Sequence, residues 1–147
     1  MENREWIKRV LYLFPIHHSR FPLMQLNHER PDYTYALRAA DGRSAKVNDR
    51  VLDASFILAP NELIENWNVR DPAALLPEDF APLLALNPEL VVLGTGERQI
   101  FPSAAVMAAC LTRGIGIEVM TNPAAARTFN VLAGEGRRVV AGFLLMP

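Results

Sequence analysis

The sequence predicts an α/β domain with one mixed β-sheet, an N-terminal β-hairpin and helices packed on the sheet. Two observations favour this fold class. Strand-like segments follow one another in the first half, whereas strand-like and helix-like segments alternate in the second half. This order is typical of a chain that combines antiparallel and parallel strands in one layered domain. With 147 residues, of which 50% are hydrophobic, the chain is long enough to bury one core.

The predicted elements of the first half are strands. Asp41-Gly42 is a hairpin signal between the first two of them. Apolar and polar residues alternate in the first strand, and Pro60 ends the third. The three strands are residues 33–39, 44–48 and 55–59. Residues 63–69 fit a strand or a short helix equally well, because periodicity does not decide over so few residues.

In the second half, helices and strands alternate. Pro77 begins a helix, since proline fits the first turn and the acids that follow favour the positive end of the helix dipole. Asn122 is the predicted N-cap of the last helix. Gly142 lies in a central apolar strand and indicates a close approach of another group. The remaining strands are predicted at 90–93, 115–119 and 139–146, and the helices at 103–113 and 122–134.

Residues 1–30 lie outside this regular pattern, and residues 31–147 form the predicted single domain. The apolar run Val10–Phe14 is shorter than a signal-peptide core, and the early acids Glu2 and Glu5 are untypical of a transit peptide. We interpret the segment as an irregular arm or as the result of a start codon assigned too early, with Met24 as the alternative start.

Composition limits the partner classes. The chain has 15 Lys and Arg against 16 Asp and Glu, so it lacks the basic excess that is typical of nucleic-acid binding. A single cysteine is consistent with a reducing compartment. No apolar run approaches the roughly 20 residues that span a bilayer. We therefore predict a cytoplasmic protein with no membrane span and no nucleic-acid partner. The oligomeric state stays open.

The apolar strand at 90–93 ends in Gly94-Thr95-Gly96, and Pro102 then opens a helix. A strand, a loop and a helix N-terminus in succession place a crevice at the carboxyl end of a sheet. The glycine segment can be interpreted in two ways, as a nucleotide-binding loop or as a structural turn. A nucleotide-binding loop would need a further glycine where Gln99 stands, or the Gly-Lys-Ser/Thr of a Walker loop. We favour a tight strand exit that only glycine backbones can make.

A smaller negative ligand remains possible at this crevice. Helices predicted to begin at Pro102 and Pro123 would direct unpaired N–H groups towards it, and Arg127 lies one turn into the second helix. The candidate ligand-binding residues are Gly94, Thr95, Gly96, Thr121, Asn122 and Arg127. In the alternative interpretation, Thr95 and Asn122 satisfy these N–H groups themselves as caps, and Arg127 is an ordinary surface arginine.

No pattern predicts catalytic residues, a metal site or a cofactor. Cys110 lies on the apolar side of a predicted helix, as expected of a small buried side chain. The three histidines, His17, His18 and His28, all lie in the arm, so neither a Cys–His pair nor a Ser-His-Asp triad is expected in the core. Asn130 is predicted to hydrogen-bond a loop backbone in a structural role.

Four motifs in the second half resemble a known family in their order and spacing. They are Gly94-Thr95-Gly96 and residues 114–122, 126–132 and 135–139. Together they resemble the small Mth-like domain of unknown function, which occurs in bacterial and archaeal hypothetical proteins and in a mitochondrial respiratory complex I assembly factor. The resemblance covers about residues 31–146 and implies a layered α/β fold without established catalytic residues. Phe129 stands where the family often has tyrosine.

Two classes of function are consistent with the sequence. The first is a non-catalytic interaction or assembly module with a protein partner, for which Trp67 and Phe101 are the apolar surface candidates. The second is a small-molecule or anion-binding protein, or a weak enzyme, that uses the crevice at Gly94-Thr95-Gly96. Co-purification of a stable partner would favour the first, and thermal stabilisation by a metabolite would favour the second.

Overall fold

Residues 33–146 are the part of the chain that the computed structural model describes, and the arm predicted at residues 1–30 lies outside them. The described residues form eight strands in two sheets. The strands are β1 (Leu37–Ala40), β2 (Ala45–Val47), β3 (Arg50–Leu52), β4 (Phe56–Ala59), β5 (Glu62–Ile64), β6 (Leu90–Gly94), β7 (Gly116–Met120) and β8 (Val139–Phe143). The predicted α/β class is therefore confirmed.

The larger sheet has five strands in the order β5-β4-β8-β6-β7. β6 pairs in parallel with β7 and with β8, whereas β4 pairs antiparallel with β5 and β8. The sheet is thus mixed, as predicted. β8 lies at its centre and all five of its residues are buried, which explains its almost uninterrupted apolar sequence.

The predicted hairpin belongs to a separate three-stranded sheet, β1-β2-β3. At its turn, Asp41 Oδ1 accepts the backbone N–H groups of Ser44 and Arg43, each at 2.8 Å, and these bonds hold the pKa of the Asp41 carboxyl below its usual range. The sequence analysis missed β3, which pairs with β2 across Asn48-Asp49. Asn48 has a φ of 52°, and Asn is a residue that such two-residue turns favour.

Both faces of the larger sheet are buried. One face packs against the three-stranded sheet and the last helix, and the other packs against the remaining helices. Residues that alternate along the strands belong to opposite faces. The first face includes Phe56, Leu58, Val92, Val139, Ala141 and Phe143. The second includes Ile57, Ala59, Val91, Leu93, Val119 and Val140.

The α-helices are α1 (Ala81–Leu84), α2 (Ala104–Leu111) and α3 (Asn122–Gly134) within the described residues. The 3₁₀ turns Pro72–Ala74 and Pro77–Phe80 precede α1, so the predicted helix start at Pro77 is a 3₁₀ turn that continues into a short α-helix. Ser103 caps α2, and its Oγ accepts the Val106 N–H at 3.4 Å.

The predicted cap of α3 was wrong by one residue. Thr121 is the N-cap, with its Oγ1 3.5 Å from the Ala124 nitrogen, and Asn122 is the first helical residue. Tertiary contacts explain this difference, because the side chain of Asn122 bonds to other segments of the protein and not to the first turn of α3.

The ambiguous segment at residues 63–69 contains the end of β5, followed by a loop. Trp67, which the sequence analysis placed on the surface, is only 7% exposed, so that prediction was wrong. Its ring covers Gly142, where a Cβ atom would lie 2.7 Å from Trp67 Cζ3. Its Nε1 donates to the backbone oxygen of Asp79 at 2.9 Å, and its ring meets Phe80 edge to face. The close approach expected at Gly142 is therefore confirmed.

Candidate functional site

The loops that follow β6 and β7 leave the same edge of the sheet, because the two strands are parallel and Gly94 pairs with Met120. Backbone hydrogen bonds join the loops directly. The N–H of Thr95 donates to the oxygen of Met120 at 2.9 Å, and the N–H of Asn122 donates to the oxygen of Gly96 at 2.8 Å. The expected proximity of the two loops is confirmed.

Asn122 connects three segments of the chain at this edge. Its side chain is fully buried, and its Oδ1 accepts the N–H of Gly96 at 3.0 Å. Its Nδ2 donates to the oxygen of Asp41 at 2.7 Å and to the oxygen of Leu144 at 2.9 Å. One carboxamide therefore ties the β1–β2 hairpin, the loop after β6 and the segment after β8 to the start of α3.

The polar groups of the loop after β6 are also engaged within the protein. Thr95 is 4% exposed, and its hydroxyl donates to the oxygen of Arg98 at 2.5 Å while it accepts the N–H of Ile100 at 3.1 Å. Gln99 donates from Nε2 to the oxygen of Val119 at 2.8 Å. Of the four residues whose amides were candidates for an anion, Thr95, Gly96, Thr121 and Asn122, the first two and the last thus donate their N–H groups to protein partners.

The local geometry explains why glycine occupies both ends of the Gly-Thr-Gly segment. A Cβ atom at Gly94 would collide with Asn122 Oδ1 and would lie 3.2 Å from the Cβ of Ala125. Gly96 has a φ of 92°, a conformation that disfavours any other residue. These contacts agree with the interpretation of the segment as a tight strand exit.

An open groove of about 430 Å³ lies at the carboxyl ends of β6 and β8, beside this loop. We call it the arginine groove. The charged residues that line it are Arg43, Arg70, Arg98 and Glu97. The other lining residues are Gly42, Thr95, Gly96, Ile100, Leu144 and Met146. The arginines come from three segments: the β1–β2 turn, the loop after β5 and the loop after β6.

The predicted candidate residues are distributed unevenly around this groove. Thr95 and Gly96 line it, whereas Gly94, Thr121 and Asn122 lie next to the loop without lining it. Arg127 is exposed on α3 and is not a lining residue. Arg43, Arg70 and Arg98 were not predicted as site residues, because residues so far apart in sequence share no local pattern. Only Arg98 could have been identified from the sequence, because it lies two residues beyond Gly96.

Two further predicted side chains have the expected roles. Cys110 is fully buried, and this burial raises the pKa of its thiol above the usual range, although the positive charge of Arg113 opposes the shift. Asn130 accepts the N–H of Leu37 at 3.0 Å and donates to the oxygen of Leu37 at 2.7 Å. It therefore satisfies the backbone of edge strand β1 from helix α3.

Among residues 33–146, no group of three or more His, Cys, Asp and Glu side chains is arranged to hold a metal ion. In that same part of the chain, no helix has the length and apolar character needed to cross a membrane.

Residues 37–144 match the model of a family described as "Protein of unknown function (DUF498/DUF598)". The chain belongs to this family. The match begins at β1 and extends past β8, so it includes every strand described above. The family resemblance inferred from the second-half motifs is confirmed.

Similar proteins agree with this assignment. A rat protein named NADH dehydrogenase [ubiquinone] 1 alpha subcomplex assembly factor 3 is 31% identical over 132 residues, which are 88% of this chain and 69% of the rat protein. An NMR structure of a Xanthomonas campestris protein is 63% identical, with a TM-score of 0.71, and the match covers 83% of this chain and 92% of that one. A Bordetella pertussis protein described as a Mth938-like domain is 29% identical, with a TM-score of 0.68 and coverage of 82% and 92%.

Proposed function

We propose that this protein is a non-catalytic interaction or assembly module whose role resembles that of the respiratory complex I assembly factors. The observation that supports this most directly is the 31% identity to the rat assembly factor over 88% of this chain. The family match over residues 37–144 means that the shared region is the whole layered domain rather than one motif.

The chemistry of the buried polar residues agrees with a structural rather than a reactive role. Ser55, Thr95 and Asn122 are the polar residues buried in the described part of the chain, and each bonds to protein backbone. Throughout residues 33–146, no buried side-chain nitrogen or oxygen lacks a hydrogen-bond partner. These side chains therefore hold backbone segments in place.

The surface also has apolar side chains that a partner could cover. Phe101 is 62% exposed, in agreement with the sequence analysis, and its neighbour Ile100 lines the arginine groove with Met146. Single exposed apolar residues are common on proteins, whereas neighbouring ones indicate an interaction surface.

The cytoplasmic location of the protein stays a prediction.

The proposal is tested in cells that naturally produce the protein. The full chain, tagged at its chromosomal locus, is expected to co-purify with a protein partner in a fixed ratio. Deletion of its gene is expected to lower the amount of assembled NADH:ubiquinone oxidoreductase on native gels, and the reintroduced gene should restore it. An unchanged amount of the complex, together with no co-purifying protein, would overturn the proposal.

A further inference from the structure

We propose that the arginine groove docks an acidic segment of a partner protein, in which carboxylates flank a large apolar side chain. This inference rests on the proposed interaction role and adds the location and the chemistry of the contact.

The charge of the groove is the first argument. Three arginines face one acid, Glu97, on a chain whose net charge is −1. Within residues 33–146, the ion pairs involve other arginines, namely Arg50, Arg137 and Arg138, which pair with Glu65 or Glu89. Guanidinium groups match carboxylates in shape and charge, and they bind them through two parallel hydrogen bonds.

The apolar lining is the second argument, and it distinguishes a peptide from a small ion. Ile100 and Met146, which both line the groove, are 39% and 57% exposed. An inorganic anion would leave these side chains in water, whereas an apolar side chain of a partner would cover them. Methionine adapts its shape to different apolar groups, which suits a peptide-binding surface.

The third argument is that the groove is already formed. Four segments of the chain line the groove, and Asn122 bonds to three of them: the β1–β2 turn, the loop after β6 and the segment after β8. In addition, the N–H of Met146 donates to the oxygen of Gly42 at 2.9 Å. A preformed backbone leaves only the arginine side chains to be ordered when a partner binds, which lowers the entropic cost of binding.

The test uses a library of random 12-residue peptides displayed on phage and selected on the full chain. The selected peptides, made synthetically, are measured by fluorescence anisotropy with a double variant, Arg43→Glu with Arg98→Glu. The matched control is Arg38→Glu with Arg113→Glu, which makes the same charge change at exposed arginines outside the groove. Amide shifts by NMR locate the contact.

We expect the selected peptides to be rich in Asp and Glu around one large apolar residue. Their affinity should fall about tenfold or more in the groove variant and stay within about twofold in the control, and it should weaken at high salt. Selection of no peptide, of peptides without acidic enrichment, or of peptides that bind the groove variant as well as the original protein would overturn the inference.

Two other occupants are separate outcomes that also overturn it. If millimolar inorganic phosphate binds the same residues and replacing the apolar residue of the peptide has no effect, the groove is a small-anion site. If the protein self-associates in sedimentation and the groove variant alone is monomeric, the occupant is a second copy. If the groove variant still captures the cellular partner, the arginine groove is not the docking site, whereas the proposed function stands.

Discussion

At the scale of single residues, Asn122 has the largest structural role at the candidate site. Its carboxamide uses both N–H bonds and its oxygen on backbone groups from three segments, and none of its surface is exposed. A buried side chain in this position specifies one arrangement of the loops, because the Gly96 N–H and the Leu144 oxygen would otherwise be buried without a partner.

Replacing this side chain should destabilise the fold. In Asn122→Ala, one backbone N–H and two backbone oxygens lose their bonds, so we expect the free energy of unfolding to fall by about 2–4 kcal/mol. Urea unfolding measures the change. Asn68→Ala is the control, since Asn68 is exposed, and it should change the value by less than about 0.5 kcal/mol. Equal effects of the two substitutions would contradict the role of Asn122.

Gly94 offers an independent test of the same packing. In Gly94→Ala the new methyl group meets Asn122 Oδ1, and we expect a loss of about 1–3 kcal/mol from overpacking. Gly134→Ala introduces the same methyl group where nothing lies within 4 Å, in helix α3, and should be neutral or slightly stabilising. Thermal unfolding compares the stability of the two variants. If Gly94→Ala is as stable as the original protein, the strand exit has room to relax.

Cys110 predicts a dependence of stability on pH. Its thiol has a raised pKa in the folded protein, so folding disfavours the thiolate. The stability that the neutral thiol provides is present below the pKa of the unfolded thiol, about 8.5, and declines as pH rises above it. Cys110→Ala should remove this part of the decline between pH 8 and 10.

The burial of Cys110 has a test of its own. Cys110→Ser should lower the free energy of unfolding by about 1–3 kcal/mol at pH 7, and rapid thiol labelling of the native protein would contradict burial.

At the scale of elements, the three-stranded sheet is held against α3 by side-chain bonds as well as apolar packing. Asn130 occupies the position that a neighbouring strand would take beside β1, since it bonds both backbone groups of Leu37. An edge strand satisfied in this way is also protected from pairing with another chain.

This arrangement gives a prediction for hydrogen exchange. In Asn130→Ala the amides of β1 and β2 should exchange faster, whereas those of β6 and β8 should change little, because the effect is local opening rather than global unfolding. Asn130→Asp keeps the acceptor for the Leu37 N–H and loses the donor, so its exchange should be intermediate. Uniform acceleration across both sheets would show that the two sheets unfold as one unit.

The elements also show which features a sequence can predict. Helix α2 and strands β6 to β8 were predicted closely, because hydrophobic periodicity is a local signal. The burial of Trp67 was not, because it depends on packing against a distant residue, Gly142. Strand β3 was missed because it has only three residues, too few for periodicity to indicate a strand. The arginine groove was missed because its charges come from three separate segments.

At the scale of the whole molecule, the described residues 33–146 contain a core that lies on both sides of the larger sheet. The two buried clusters together include residues from Leu37 to Leu145, and they cover both faces of the larger sheet. Within residues 33–146, every buried side-chain nitrogen and oxygen has a hydrogen-bond partner.

We therefore predict that residues 1 to about 26 are dispensable for folding. A chain that begins at Met24 should melt within about 2 °C of the full chain, because a change of 1 kcal/mol would shift the melting temperature of a protein of this size by about 2–4 °C. A chain that begins at Ser44 is the control. It lacks β1 and the bonds to Asn130 and should lose several degrees. The same loss in the chain that begins at Met24 would show that the N-terminal segment packs on the core and belongs to the folded domain.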